Sequence, residues 1–461
     1  MSDISQRMDQ LPITAFHRIA ICALAFAYFF ELADLNTFAY AAPAIIGNWH
    51  IPVSAVALIT STSFGGMFIG GTFGGMLAHR IGRRRGFILS ILVYTLFSLL
   101  NAASWDVLSL AVFRFLTGIG LSGMTVIANV YVSEFFPARL RGKYMSMIFT
   151  LGLIGIPATA WVARLVVPLA PWAWRLIFVW GSLGLLAIPF ALKLLESPRW
   201  LLTKGKVVEA HRVVGKLEAS AGIEAPRADL RYEGEPLQAS SSLRGMFARG
   251  YRQQTIGLSL IWIFQTLGFY GFVAWVPTLL VQHGFTITKS LEYSSLMAIC
   301  NPLGAWLGTF IIERFERKWI VAIDAVLIAM AGVAYGLAPS AAFIVIFGAL
   351  VIITIQLMNA TLYIYTPESY PTHLRSAGAG FCYGLGRLTN VVGPFIVSML
   401  YASAGYLSVF GYISACWLVV AAVVTAIGPR TTGRPLELVN SNEPSHSPNK
   451  ELNLERRSRT V

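Results

Sequence analysis

Runs of about twenty mostly apolar residues recur twelve times along the chain, at 19–43, 53–78, 87–104, 107–131, 144–168, 175–195, 255–281, 291–312, 319–338, 341–364, 376–402 and 406–428. A helix rises about 1.5 Å per residue, so each run matches the ~30 Å hydrocarbon core of a bilayer. Backbone in lipid must satisfy its own N–H and C=O groups, and continuous apolar runs of this length fit helices rather than the alternating strands of a barrel. The chain therefore reads as an all-α membrane protein with twelve transmembrane helices.

Composition agrees, with 56% hydrophobic and only 12% charged residues among 461 and a mean hydropathy of +0.65, far from the usual quarter-charged soluble chain. A formal charge of +13 would suggest nucleic acid in a soluble protein. Here the cations sit in alternate connections between apolar runs: Arg80, Arg83, Arg84 and Arg85; Arg139, Arg141 and Lys143; Lys193, Arg199 and Lys204; Arg314, Arg317 and Lys318; His373 and Arg375; Arg430 and Arg434. That is the positive-inside pattern, which puts both termini in the cytoplasm and the protein in a cell membrane, the bacterial inner membrane, with no nucleic-acid partner. Arg7, His17 and Arg18 precede a first run without a small-residue cleavage site, so that run is a retained span. Cys22, Cys300, Cys382 and Cys416 lie in apolar runs without metal-ligand spacing, and neither a metal nor a cofactor is expected.

The polar interval 196–254 contains Pro226, Pro236 and Ser240 to Ser242 and a helical pattern around Val207 to Leu217. It separates six spans from six. The expected organisation is an N-terminal cytoplasmic segment 1–18, a bundle 19–195, a linker 196–254 with an interfacial helix, a bundle 255–428 and a disordered tail 429–461. The bundles are copies: a shift of 234 matches Pro43 to Pro277, Gly74 to Gly308, Arg83 to Arg317, Tyr131 to Tyr365, Glu134 to Glu368, Pro137 to Pro371 and Arg141 to Arg375. Parallel six-span repeats, related by pseudo-two-fold symmetry, are what a rocking transporter is made of, with its binding site at the midplane between them.

Glu31 and Asp34 are three residues apart in the first run, so they share a helix face. An ionisable group at that depth costs several kcal/mol unless it faces a partner or a watery path, roughly in line with insertion scales. Asp34 lies about 14 Å below the external end at Pro43, and Arg114 about 10 Å into the fourth run, so the two can meet. The 234 shift turns Glu31, Asp34 and Arg114 into Gln265, Gly268 and Gly348, confining charge to the first bundle. The second offers Gln265, Tyr270, Trp275, Asn359 and Tyr363 as candidate substrate contacts. Arg387, about 16 Å into the eleventh run, is a midplane guanidinium that needs an anion: a substrate carboxylate, Glu31, or helix-end carbonyls.

Gly75-Met-Leu-Ala-His-Arg-Ile-Gly-Arg-Arg-Arg85 and Arg114-Phe-Leu-Thr-Gly-Ile-Gly-Leu-Ser-Gly123 resemble two motifs of the major facilitator superfamily, and the resemblance covers 19–428. Glu196-Ser-Pro-Arg-Trp-Leu201 and Tyr365-Thr-Pro-Glu-Ser-Tyr-Pro-Thr-His-Leu-Arg375 resemble its sugar-porter and niacin-transporter-like branches. Glu31-Leu-Ala-Asp34 with Pro43 is similar to the first span of the aromatic acid:proton symporters. The resemblance implies that Asp34 and Arg114 form a pair that protonation breaks, with Glu31 as the second candidate. It also implies a cytoplasmic gate built from Arg80, Arg83, Glu134, Arg139, Arg141, Glu196, Arg199, Arg314, Glu368 and Arg375. The first loop motif carries His79 where the family has an acid, whereas the second copy keeps Glu313.

No nucleophile with an adjacent base and no phosphate-cradling glycine loop occurs, so an enzyme is not expected. The expected function is proton-coupled symport of a small organic acid, with aromatic acids among the candidates. A sugar or polyol symporter, an efflux antiporter and a non-transporting receptor are the alternatives. Against a sugar, the fifth run from Tyr144 to Pro168 contains no Gln or Asn. Oligomeric state is not legible, and a monomer is compatible with this plan.

Overall fold

A computed structural model describes residues 3–223, 246–247, 251–312, 314–370 and 374–430. Glu313, His373, residues 224–245 and 248–250 of the linker and the tail beyond 430 lie outside the described residues, as do the side chains of Arg139 and Arg375. The chain is all-helical, and ten helices are long and apolar enough to cross a bilayer. They are spans 1 (Ala15–Trp49), 2 (Val53–Ile81), 3 (Arg83–Ala102), 4 (Val107–Phe135), 5 (Leu140–Leu169), 7 (Arg252–Val273), 9 (Arg317–Gly336), 10 (Ala341–Glu368), 11 (Gly378–Ala404) and 12 (Tyr406–Ile427). Span 6 is the shorter Arg175–Ala191, and span 8 is built from Ile287–Ala298 and Cys300–Ile311.

The ends of these helices are written in short polar signals. Thr14 caps span 1 in a capping box with His17, and Asp106 caps span 4 by accepting from the Ser109 N–H at 2.7 Å. The Ser109 N–H and hydroxyl hold the Asp106 carboxyl below its ordinary value. Span 1 does not stop near Pro43, as the hydropathy limit suggested, but runs on to Trp49 and ends at His50 with φ 52°. Proline is tolerated inside membrane helices because neighbours re-satisfy the freed backbone. Asp34 is thus fifteen residues from the helix end, deeper than the sequence estimate.

Close packing of spans 2 and 4 depends on glycine. A Cβ on Gly70 would lie 2.8 Å from the Ile119 Cα, so the two backbones approach as only a bare glycine allows. Span 7 is interrupted at Ala274 and Trp275, and a second helix, Val276–Gln282, restarts with Pro277 in its first turn.

The expected 207–217 pattern forms a helix, Val207–Ser220, preceded by Pro198–Thr203. The end of the bundle that carries these two helices is called here the linker face. A further helix that hydropathy gave no sign of, Asp3–Gln10, packs on them. Ile4, Met8 and Leu11 are buried in one cluster with Ala210, Val214 and Leu217. Arg7 adds two bonds to Glu218, of 2.8 and 2.6 Å, and Asp9 takes Arg199 at 3.0 Å and Arg141 at 3.9 Å.

The two six-span halves meet along spans 2 and 11, between span 1 and Val276–Gln282, and between Gly155–Val166 of span 5 and Ile287–Ala298 of span 8. Arg164 on the first half reaches Glu292 on the second at 3.6 Å.

Candidate functional site

Asp34 and Arg114, whose depths allowed them to meet, do so: Arg114 Nη1 lies 3.3 Å from Asp34 Oδ2. Asp34 is fully buried and Arg114 2% exposed, so neither charge has water to fall back on. The rest of their hydrogen bonding is local. Ser98 on span 3 donates to Asp34 Oδ1, while Arg114 donates to Ser63 of span 2 at 3.2 Å and to Thr37 of span 1 at 3.3 Å. Four spans of one half therefore hold a single ion pair, and removing either partner would strand the other charge in a dry interior.

Beside this pair lies a cavity between the halves, about 430 Å³ including space open to solvent, lined by Asn36, Phe38, Thr60, Ser63, Phe64 and Arg114 from the first half and Tyr270, Val273 and Ala274 from the second. The Tyr270 ring packs edge-on against Phe64 with centroids 4.6 Å apart. Glu31 is also buried but has different company: Thr125 donates to its Oε1 at 3.0 Å. Arg387 crosses to the first half, its Nη1 donating to Ser122 Oγ at 3.0 Å.

In the second half Gln265 donates to Asn359 at 2.8 Å, Asn359 to Gln356 at 3.3 Å, and Gln356 to Asn301 at 2.7 Å. Trp262, Tyr363 and Tyr383 form an aromatic cluster with centroid separations of 4.6 to 5.2 Å. Trp262, Tyr383, Gln356 and Asn301 were not singled out from sequence, because aromatic and amide residues in apolar spans have no distinguishing spacing. Trp275, a sequence candidate for substrate contact, is 1% exposed and packs in the core. Neither it nor Gln265, Asn359, Tyr363 or Arg387 lines the cavity, which of the sequence candidates for substrate contact takes Tyr270.

At the linker face the charged candidates sort into pairs within each half. Arg83 grips Glu134, and Arg317 meets Glu368 at 3.0 Å. Glu196 accepts from the backbone N–H groups of Arg83 at 2.8 Å and Arg84 at 3.1 Å, which makes it the cap of span 3, where a carboxylate complements the helix dipole. His79, Arg80 and Arg314 are exposed, and the His79 carbonyl accepts from the Trp200 indole at 2.8 Å. Among the described residues no three His, Cys, Asp or Glu side chains gather as a metal site, and all four cysteines are free.

Two six-span halves around a shared cavity, with an ion pair buried at depth, define a multi-pass membrane transporter of the major facilitator superfamily. The family profile described as "Sugar (and other) transporter" matches residues 14–442, and the chain belongs to that family. It is 43% identical over 438 residues to YyaJ of Bacillus subtilis, a protein named for metabolite transport, covering 94% of this chain and 97% of that one. It is 29% identical to the niacin transporter NiaP of Acinetobacter baylyi, over 95% of this chain and 99% of the relative. Among solved structures, the D-xylose-proton symporter superposes with a TM-score of 0.73 at 17% identity, covering 91% of this chain and all of that one, a likeness of fold.

Proposed function

We propose that the protein is a proton-coupled symporter of a small organic acid, working by alternating access, with the linker face and both termini in the cytoplasm and segments 19–195 and 255–428 as the rocking units. The observation that carries the reading is the Asp34–Arg114 pair, a buried titratable salt bridge at 3.3 Å whose Arg114 lines the cavity between the halves. Protonation of Asp34 releases Arg114, and the interactions that Arg114 then seeks differ between the two faces of the transport cycle. Arg387 supplies the anion preference, because a guanidinium binds a planar carboxylate through two parallel bonds. Niacin, a pyridine carboxylic acid, is the cargo in the name of one relative, and the Trp262, Tyr363 and Tyr383 cluster suits a flat ring.

The test is counterflow in proteoliposomes against a panel of labelled small carboxylates and sugars. Carboxylate-specific flux stimulated by an inward proton gradient supports the reading, and a neutral sugar outcompeting every carboxylate ends it. One observation favours a sugar or polyol as the second reading: the Gln265–Asn359–Gln356–Asn301 chain of amides offers hydroxyl partners. Those amides satisfy one another, so a polyol would have to replace bonds already made.

A further inference from the structure

The two acids of span 1 do not share a partner. Asp34 belongs to Arg114 and Ser98, whereas Glu31 accepts from Thr125 of span 4 at 3.0 Å. One helical turn before Thr125, Ser122 accepts from Arg387 Nη1 at 3.0 Å. Side chains three apart on a helix are neighbours, about 5–6 Å between Cβ atoms, so the Glu31 carboxylate and the Arg387 guanidinium converge on the same turn of span 4. Gly71 on span 2 leaves the passage through which Arg387 reaches it; a Cβ there would strike Arg387 Nη1 and lie 2.9 Å from Ser122 Oγ. The other ionisable groups facing Glu31 are Tyr28 and Asp34 on its own span, Tyr94 on span 3, Tyr270 on span 7 and Tyr363 on span 10. Tyrosines are neutral near pH 7, and Asp34 is engaged by Arg114, which leaves Arg387 as the cation for Glu31.

We propose that Glu31 is the resident counter-ion of Arg387 and that an incoming carboxylate displaces it, Glu31 taking up one proton as the anion binds. The argument is charge balance in a poorly solvated site. Arg387 and Glu31 sum to zero; a bound anion would leave the site at minus one, and one proton on Glu31 restores neutrality. The proton is taken from solvent as the anion binds and returns to solvent when the anion leaves. The Thr125 hydroxyl serves both forms, because it donates to a carboxylate and accepts from a carboxylic acid. This assignment rests on the organic-acid reading and adds to it a second proton, separate from that of Asp34.

The experiment is calorimetry on the purified full-length protein with benzoate and nicotinate as probes, in buffers of different ionisation enthalpy and across pH. The expected result is uptake of close to one proton per carboxylate bound, and affinity that falls about tenfold per pH unit once Glu31 is ionised in the free protein. Glu31→Gln should bind the same probes with no proton uptake and no pH dependence. Carboxylate binding by the wild type without proton uptake overturns the proposal alone, as does undiminished uptake in Glu31→Gln. Binding of sugars but of no carboxylate overturns it together with the organic-acid reading. Should Glu31→Gln fail to fold, Asp34→Asn separates the two acids: uptake of one proton per carboxylate that persists in Asp34→Asn supports the proposal, and uptake lost there assigns the proton to Asp34 and overturns it.

Discussion

Arg83 holds Glu134 through two hydrogen bonds, of 2.7 and 3.0 Å, that tie the start of span 3 to the end of span 4. The counterparts 234 positions on, Arg317 and Glu368, do the same for spans 9 and 10 at 3.0 Å. The repeat seen in the sequence is therefore a repeat of interactions. Each pair lies inside one half, so each braces its own bundle at the linker face.

Reversing the first brace gives a clean test. Arg83→Glu or Glu134→Arg alone should shift the balance of conformations, seen as altered labelling of introduced cysteines at the linker face. The double reversal should restore the wild-type pattern, with a coupling energy of about 1 kcal/mol or more for a pair this well buried and bidentate. Independent effects of the two changes would reduce the pair to a surface contact.

If the protein is a proton symporter as proposed, Asp34→Asn should abolish accumulation against a gradient while leaving substrate exchange at equal pH. The variant keeps the shape of the side chain but cannot ionise, so Arg114 stays unpaired, a cost of about 3–5 kcal/mol for a broken buried pair. Accumulation at the wild-type level would assign Asp34 a structural role.

Gly82 sits at φ 107° between spans 2 and 3, where a Cβ would meet the Glu196 carboxylate and the Trp200 ring at 3.3 Å. Gly82→Ala should lower stability by more than about 1 kcal/mol from backbone conformation alone. A lower Tm in detergent checks it, and an unchanged Tm would show that the loop can rearrange.

The N-terminal helix should come loose when its charged anchor is cut. Glu218 is buried against Arg7, so Arg7→Ala strands a carboxylate, while Met8→Asp attacks the apolar side of the same contact. Both variants should expose the first dozen residues to limited proteolysis far faster than the wild type. Equal cleavage rates would mean the helix is not held there.

The parts legible in the sequence were those with long periodicity or a physical penalty. Runs of twenty apolar residues cannot hide, and the depths of the acid at position 34 and the arginine at 114 allowed the pair that forms. The Asp3–Gln10 helix was not legible, because an eight-residue stretch with two apolar residues, Ile4 and Met8, shows no pattern until the surface they cover is known. Glu196 read as one charge of a gate because sequence shows a carboxylate but not the helix start it caps. Asp324, buried in span 9 with neither carboxylate oxygen hydrogen-bonded among the described residues, was passed over as one acid in an apolar run. Arg387 stood out in the sequence as a lone guanidinium in an apolar run, but the glycine gap that lets it touch the other half is a property of three dimensions.

Among the described residues, the ion pair that joins the two halves is Arg164 with Glu292, each side chain about 30% exposed. Such a pair contributes little, typically under about 1 kcal/mol, and salt weakens it further. The apolar contacts of spans 1, 5, 7 and 8 across the halves then outweigh that pair, and parting them is a matter of hydration rather than of charge. Opening along this seam should respond steeply to temperature and only faintly to ionic strength.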